Sequence, residues 1–177
     1  MSYQNHVENY YEEWSDVFSK KGWLDYLQNT YGDFKIAAAY QDQDGNPHWS
    51  KHRLYMDARN DPEFLARVNN RTIFPTELVI DIENKTDIQQ IKEKLEKYGV
   101  EVISKAAIFE TGSKGYHIHI FSSYLDPIIN PNSKKIKKNI LKELNADTAK
   151  ANDYSMIALE FSPHWKTGKP KKFLSWA

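Results

Sequence analysis

The chain has no cysteine. Disulfides are therefore excluded, and so is any zinc site built on thiolates. A bound metal would have to use carboxylates and imidazoles, a donor set that favours hard ions such as Mg²⁺ or Mn²⁺. There is also no apolar run long enough to span a bilayer and no charged-then-apolar leader, so the sequence reads as soluble and not secreted. Nor does one sign of charge dominate: 24 basic residues cancel 24 acidic ones. That balance argues against a protein that coats nucleic acid by bulk electrostatics. The distribution is uneven, however. Residues 133–142 (SKKIKKNILK) and 164–172 (HWKTGKPKK) are basic, while the N-terminal third holds the acidic excess.

What is present suffices for a core. Of 177 residues, 40% are apolar and 14% aromatic, and a chain this long buries about 70% of its unfolded surface. We read one domain, 1–177, with an N-terminal helical/αβ module over 1–75 and a sheet-forming part over 76–177. Residues 6–31 carry Tyr10, Trp14, Val17 and Phe18, then Trp23, Tyr26 and Leu27, at helical spacing. This predicts two short helices broken near Gly22, their aromatic stripe being core packing. Phe34 to Tyr40 reads as a strand before a turn at Asp44-Gly45-Asn46-Pro47. Asp61-Pro62 opens a helical turn to about Val68. Thr86 or Asp87 caps a helix with Ile88, Ile91 and Leu95 inward and Gly99 as its stop. Strands follow over Val100–Phe109 and Tyr116–Phe121, then a loop over Asp126–Ser133 and a basic helix over Lys134–Leu144. Ser155–Phe161 reads as a strand, Lys166–Lys172 as a loop, and Phe173–Trp176 as a last short strand. The order predicts an α+β fold: one mainly antiparallel sheet covered by helices on one face.

The chemistry gathers on three stretches. In Thr76–Glu83 (TELVIDIE), alternation puts Leu78, Ile80 and Ile82 on one face and Val79, Asp81 and Glu83 on the other. Neighbouring same-face carboxylates lie about 6.6 Å apart and repel by roughly 2.5 kcal/mol at an effective dielectric near 20. A cation between them, or a proton on one, removes that cost; so does a solvated edge strand. In Glu110–Phe121 (ETGSKGYHIHIF), His117 and His119 leave one face of a strand. The preceding turn offers Ser113, Lys114 and backbone N–H groups that could cradle an anion. In Ile157–Lys172 (IALEFSPHWKTGKPKK), Ile157, Leu159 and Phe161 alternate with Glu160 and Ser162, and His164, Lys166 and Thr167 follow. All three strands thus set aliphatic side chains against acids or imidazoles. A shared functional face is expected, with Asp81, Glu83 and Glu160 on metal and Ser113, Lys114, His117 and Lys166 on phosphates.

At this point the chain resembles the archaeo-eukaryotic primase superfamily, which includes primase small subunits and primase-polymerases. VIDIE is similar to that family's Asp-x-Asp/Glu strand, TGSKGYH to its Ser-Gly-x-x-Gly-x-His turn, and LEFSPHWKTG to its third motif. Thr111 stands where Ser is usual and Glu160 where Asp is usual, and the family's zinc element is missing. The motifs span 76–169, about half the chain, which ends nine residues beyond Gly168 and so reads as a minimal core or a piece of a longer protein. The resemblance implies an RRM-like catalytic sheet and template-directed DNA primase/polymerase activity. It implies catalysis by two Mg²⁺ or Mn²⁺ ions on Asp81, Glu83 and Glu160, with no structural zinc. Nucleotide contacts fall on Ser113, Lys114, His117, Ser162, His164 and Lys166. Implied partners are NTP or dNTP, a primer, and a single-stranded DNA template along Lys134, Lys135, Lys137 and Lys138. A primase large subunit, a helicase or further domains of a longer chain would join them, at a cytoplasmic or nucleoid-associated location.

Two other classes compete. His117-Ile118-His119 matches the metal pair of single-strand nicking nucleases, which need a tyrosine nucleophile with lysine three residues on. Tyr124 and Tyr154 have Pro127 and Ile157 at that offset instead. A non-catalytic RRM-like nucleic-acid-binding sheet would expose aromatics where this sequence places acids and imidazoles.

Overall fold

The computed structural model describes residues 3, 7, 17–98, 106–121, 133–152 and 154–174. Its helices are α1 (Val17–Tyr31), α2 (Tyr55–Ala58), α3 (Pro62–Arg67), α4 (Asp87–Leu95) and α5 (Ser133–Glu143). Its strands are β1 (Lys35–Ala37), β2 (Ala39–Gln41), β3 (Pro47–Trp49), β4 (Arg53–Leu54), β5 (Asn70–Thr72), β6 (Glu77–Ile82), β7 (Ala106–Glu110), β8 (Tyr116–Phe121), β9 (Met156–Ala158) and β10 (Lys172–Leu174). Short 3₁₀ turns follow at Glu96–Tyr98 and Thr148–Ala151. The class is α+β and every strand pairing is antiparallel.

The single sheet expected from the sequence is instead two four-stranded sheets and a hairpin. The first has the order β4–β1–β5–β9, the second β10–β7–β8–β6, and β2 pairs only with β3. Strand β9 thus joins the N-terminal strands rather than the motif-bearing ones, through Arg71↔Ile157. In the second sheet β6 and β7 run the same way with β8 between them, the split arrangement that a helical crossover such as α4 produces.

Both faces of the second sheet are covered, and alternation explains which residues go where. Leu78, Ile80, Ile82, Ile108, Ile118 and Ile120 face α4 and α5 and pack on Ile91, Leu95, Ile140 and Leu141. Each such side chain contributes about 1.5–3 kcal/mol by leaving water. On the opposite face Ala107 and Phe109 join Trp23, Leu24 and Leu27 of α1, Phe34 and Ile36 beside the first sheet, and Leu159 and Phe161. The helices therefore cover one face, as expected, but the first sheet and α1 close the other.

Several local expectations change. One helix runs through Gly22, because Trp23, Leu24 and Leu27 are all buried on its far side and Lys20 ties it to α3. The Lys20 Nζ donates to the carbonyls of Leu65, Ala66 and Val68, satisfying the open end of α3. Tyr10 and Trp14 lie outside the described residues, as do Gly99, the first part of the Val100–Phe109 strand and most of the Asp126–Ser133 loop. The Asp61 side chain does cap α3, accepting from the Phe64 N–H. Neither Thr86 nor Asp87 does so for α4: Thr86 has helical dihedrals and makes no side-chain cap bond. The strand predicted over Ser155–Phe161 stops at Ala158 because the chain turns, with Phe161 in the left-handed region at φ 65°. Among the described residues no helix is long and apolar enough to cross a membrane.

Candidate functional site

Pairing of β6 with β8 sets Asp81 opposite His117 and Val79 opposite His119. One face of the second sheet therefore carries Glu77, Asp81, His117 and His119 together. It is not an open face. Glu77 and His119 are fully buried between the sheets, and only its Asp81 end reaches solvent.

The buried end is a closed charge network. Arg71, reaching across from β5, donates through Nη1 and Nη2 to the two carboxylate oxygens of Glu77, each at 2.8 Å. Its Nε and Nη2 also donate to Glu160, the shortest bond being 2.6 Å. The Trp23 indole N–H and the Tyr3 hydroxyl donate to the same Glu160 carboxylate, at 2.9 and 3.3 Å. His119 donates from Nδ1 to Glu77 at 2.7 Å, and Lys171 donates from Nζ to His119 Nε2 at 2.8 Å. Because Glu77 can only accept and Lys171 only donate, His119 is held as the neutral Nδ1–H tautomer. Two carboxylates thus face the Arg71 guanidinium and the Lys171 amino group.

Burial alone would raise the Glu160 carboxyl, but the Arg71 and Lys171 charges overcome it and hold the group at about 2. Glu77 is likewise held well below the usual carboxylate range. Burial, with Lys171 adding to it, pushes His119 down to about 4. Burial also pushes the Lys171 ammonium down to about 7. Glu77, His119 and Glu160 each bring one ligand atom within 4.8 Å of the others, a cluster that could hold a divalent ion. The Arg71 guanidinium already donates to both acids of that cluster.

The open end is built differently. The Asp81 side chain is 36% exposed, and its Oδ1 lies 3.7 Å from His117 Nε2, too far for a hydrogen bond. Burial raises the Asp81 carboxyl above its ordinary value, with Asp147 and Glu83 adding to the effect. His117 is buried and held neutral, first by burial and then by the Lys171 charge. Its Nδ1 has no hydrogen-bond partner among the described residues, and neither does the buried Ser162 Oγ. Asp81 and Glu83 open into a cleft of about 540 Å³ whose walls also hold Asp87, Lys94 and Asp147.

The glycine turn docks on both neighbours. Gly115, at φ 95°, brings its backbone so close to the Ile82 carbonyl that a Cβ would collide with it. Gly112 is packed as tightly against the Lys169 carbonyl and the His164 side chain, and the Thr167 hydroxyl donates to the Gly112 carbonyl. The partner loop is itself ordered: His164 N–H donates to Lys169 O at 2.8 Å, and Gly168 N–H to His164 O at 2.9 Å. Ser113, Lys114 and Lys166 are exposed there, while the His164 ring is tied at Nδ1 by the Lys166 N–H.

The structure thus joins the three sequence stretches, but not as a common exposed face. Asp81, Glu83, His117 and the TGSKG turn lie together, and the His164–Lys169 loop packs on that turn. Glu160 falls in the buried network with Glu77 and His119, and Lys137, expected along an open groove, is buried with its Nζ on the Phe74 carbonyl at 3.0 Å. Sequence reasoning passed over Arg71, Glu77, Lys171, Tyr3 and Trp23. Glu77 carried a signal, since it alternates in phase with Asp81. Arg71 and Lys171 carried none, because a lone arginine and a lysine within a basic run read as solvated. No protein-family model and no curated protein matches this chain.

Proposed function

We propose that the protein is a template-directed nucleotidyltransferase of the primase-polymerase kind, joining NTP or dNTP units at the Asp81–His117 end of the second sheet. The observation that carries this reading is the direct contact between the three motif stretches: Asp81 against His117, Gly115 against Ile82, and Gly112 against the His164–Lys169 loop. Strands and turns distant in sequence converge on one spot. There an acidic pair opens into the cleft, and a neutral imidazole with an unused nitrogen stands against Asp81.

The donors at this spot fit hard divalent ions. Asp81 and Glu83 offer oxygens at the mouth of a cleft that carries two further carboxylates. They would hold Mg²⁺ or Mn²⁺, while Glu160 stays with Arg71. Such ions supply charge that eases deprotonation of a 3′-hydroxyl and stabilises departing pyrophosphate. The protein's own groups do the positioning. His117, through its free Nδ1, would hydrogen-bond a phosphate oxygen without carrying charge, and Lys114 and Lys166 would offset the triphosphate from the exposed turn and loop.

The two competing classes find less support. A nicking nuclease needs both imidazoles on one metal, yet both nitrogens of His119 are engaged by Glu77 and Lys171. A sheet that binds RNA on its open face needs that face free, and here the first sheet and α1 cover it.

The test is primer extension with labelled dNTPs and NTPs in Mg²⁺ or Mn²⁺, with and without primer. Wild type should incorporate label, and Asp81→Asn should lose it while melting at the wild-type temperature or above. Label incorporated by Asp81→Asn at the wild-type rate would sink the proposal.

A further inference from the structure

A second pocket, of about 460 Å³, lies away from the acidic cleft, between the first sheet and α5. Its size falls within the range of small-molecule pockets. Phe34, Ile73 and Pro75 supply apolar wall, Lys35 and Tyr154 supply polar rim, and the buried Lys137 completes the lining. Tyr154 is the most exposed large apolar side chain among the described residues, at 68%. It is held there by a left-handed backbone at φ 63°, and Lys35 Nζ sits 4.8 Å from its ring centroid. A non-glycine residue in that conformation carries strain, spent here on presenting a ring to solvent beside a pocket.

The charge around this pocket is opposite to that of the first. The acidic cleft sets Asp81, Glu83, Asp87 and Asp147 against Lys94 alone. Here Lys35 and the buried Lys137 outweigh Asp33, and Lys134 and Lys138, four residues and about one helical turn apart on α5, stand exposed. An apolar pocket beside a presented aromatic ring and a row of lysines matches the recognition chemistry of single-stranded nucleic acid: a π-face for a base, cations for phosphates on either side.

We propose that this pocket takes one unstacked base of single-stranded nucleic acid, with Tyr154 as the stacking surface and Lys35, Lys134 and Lys138 on the flanking phosphates. The proposal deepens the nucleotidyltransferase reading, on which it rests for the strand being a template, by assigning where that strand is held.

The test is fluorescence anisotropy of a fluorescein-labelled oligothymidylate of about twelve nucleotides, titrated with the whole chain at several salt concentrations. Tyr154→Ala should weaken binding on the order of tenfold, whereas Tyr154→Phe and Tyr154→Trp, which keep a ring, should stay within about twofold of wild type. Lys35→Ala should lower the slope of log affinity against log salt by about 0.7, the loss of one phosphate contact on a single strand. Met56→Ala, at an exposed side chain that lines neither cleft, serves as the control and should bind the oligonucleotide as wild type does. If wild type fails to extend a primer but these affinities follow the expected order, the nucleotidyltransferase reading falls and the strand pocket stands. Tyr154→Ala binding as tightly as wild type, or Tyr154→Phe losing as much as Tyr154→Ala, overturns the pocket whatever the extension assay shows.

Discussion

At the scale of single residues, two histidines two positions apart differ in how their ring nitrogens are engaged. His119 faces Val79 in register, and its ring nitrogens are consumed by Glu77 and Lys171. His117 faces Asp81 and keeps Nδ1 free of partners among the described residues. A buried polar atom without a partner is costly, about 1–3 kcal/mol, and a ligand oxygen would recover that cost. His117→Ala should therefore raise the KM for nucleotide by on the order of tenfold with little change in melting temperature, read from nucleotide titrations in the extension assay. His119→Ala should do the reverse. It strands Glu77 and Lys171, so it should lower the thermal midpoint while leaving nucleotide affinity in the remaining folded protein close to wild type. Glu160→Gln belongs with His119. Removing one charge of a buried pair typically costs about 3–5 kcal/mol, visible as a large drop in urea midpoint, whereas a loss of synthesis with unchanged stability would return Glu160 to the metal site.

At the scale of elements, the TGSKG turn is the joint between β8, the end of β6 and the His164–Lys169 loop. Its two glycines are needed for different reasons. Gly115 combines φ 95° with contact against the Ile82 carbonyl, so a side chain there is both strained and blocked. Gly112 has no special dihedral but lies flat against the Lys169 carbonyl and His164. Gly112→Ala should therefore push the loop off the turn without unfolding β8. We expect the nucleotide KM to rise severalfold while the circular dichroism spectrum is kept. Gly115→Ala should disturb the β6–β8 register itself and lose both stability and synthesis. Equal and small effects from both substitutions would mean that the loop is not part of the site.

At the scale of the molecule, the Arg71 network fastens one sheet to the other. Arg71 comes from the first sheet, Glu77 and His119 from the second, and Glu160 and Lys171 from segments entering or leaving both. Its pH dependence has a definite sign. The Glu160 carboxyl is held at about 2 in the folded protein, below its ordinary 4.5. Its contribution is therefore fully present above pH 4.5 and is lost as pH falls from 4.5 towards 2. Glu77 acts in the same direction. Urea denaturation at stepped pH should show the midpoint falling steeply across this window, with near-ultraviolet dichroism from the Trp23 environment lost in the same transition. A flat midpoint down to pH 3 would show that the network does not hold the sheets together.

The alternation of TELVIDIE and YHIHIF by itself specifies two strands and their aliphatic face, because a strand with a two-residue period has only one way to bury three branched side chains. The Asp61-Pro62 cap, the hairpin turn at Gly45 and the amphipathic α4 and α5 were legible for the same reason: each depends on neighbours in sequence. The pairing of Asp81 with His117 followed once β6 and β8 were adjacent. Whether the acid-and-imidazole face met water could not be read, since that depends on what packs over it. The answer lay with Trp23, Phe34 and Arg71, whose positions in sequence carry no mark of the strand they cover. Glu160 shows the division most clearly. Its place in a motif follows from its neighbours in the chain, but its environment comes from Arg71, 89 residues earlier. Only the closure of one sheet on the other decided that its charge would be met by a guanidinium.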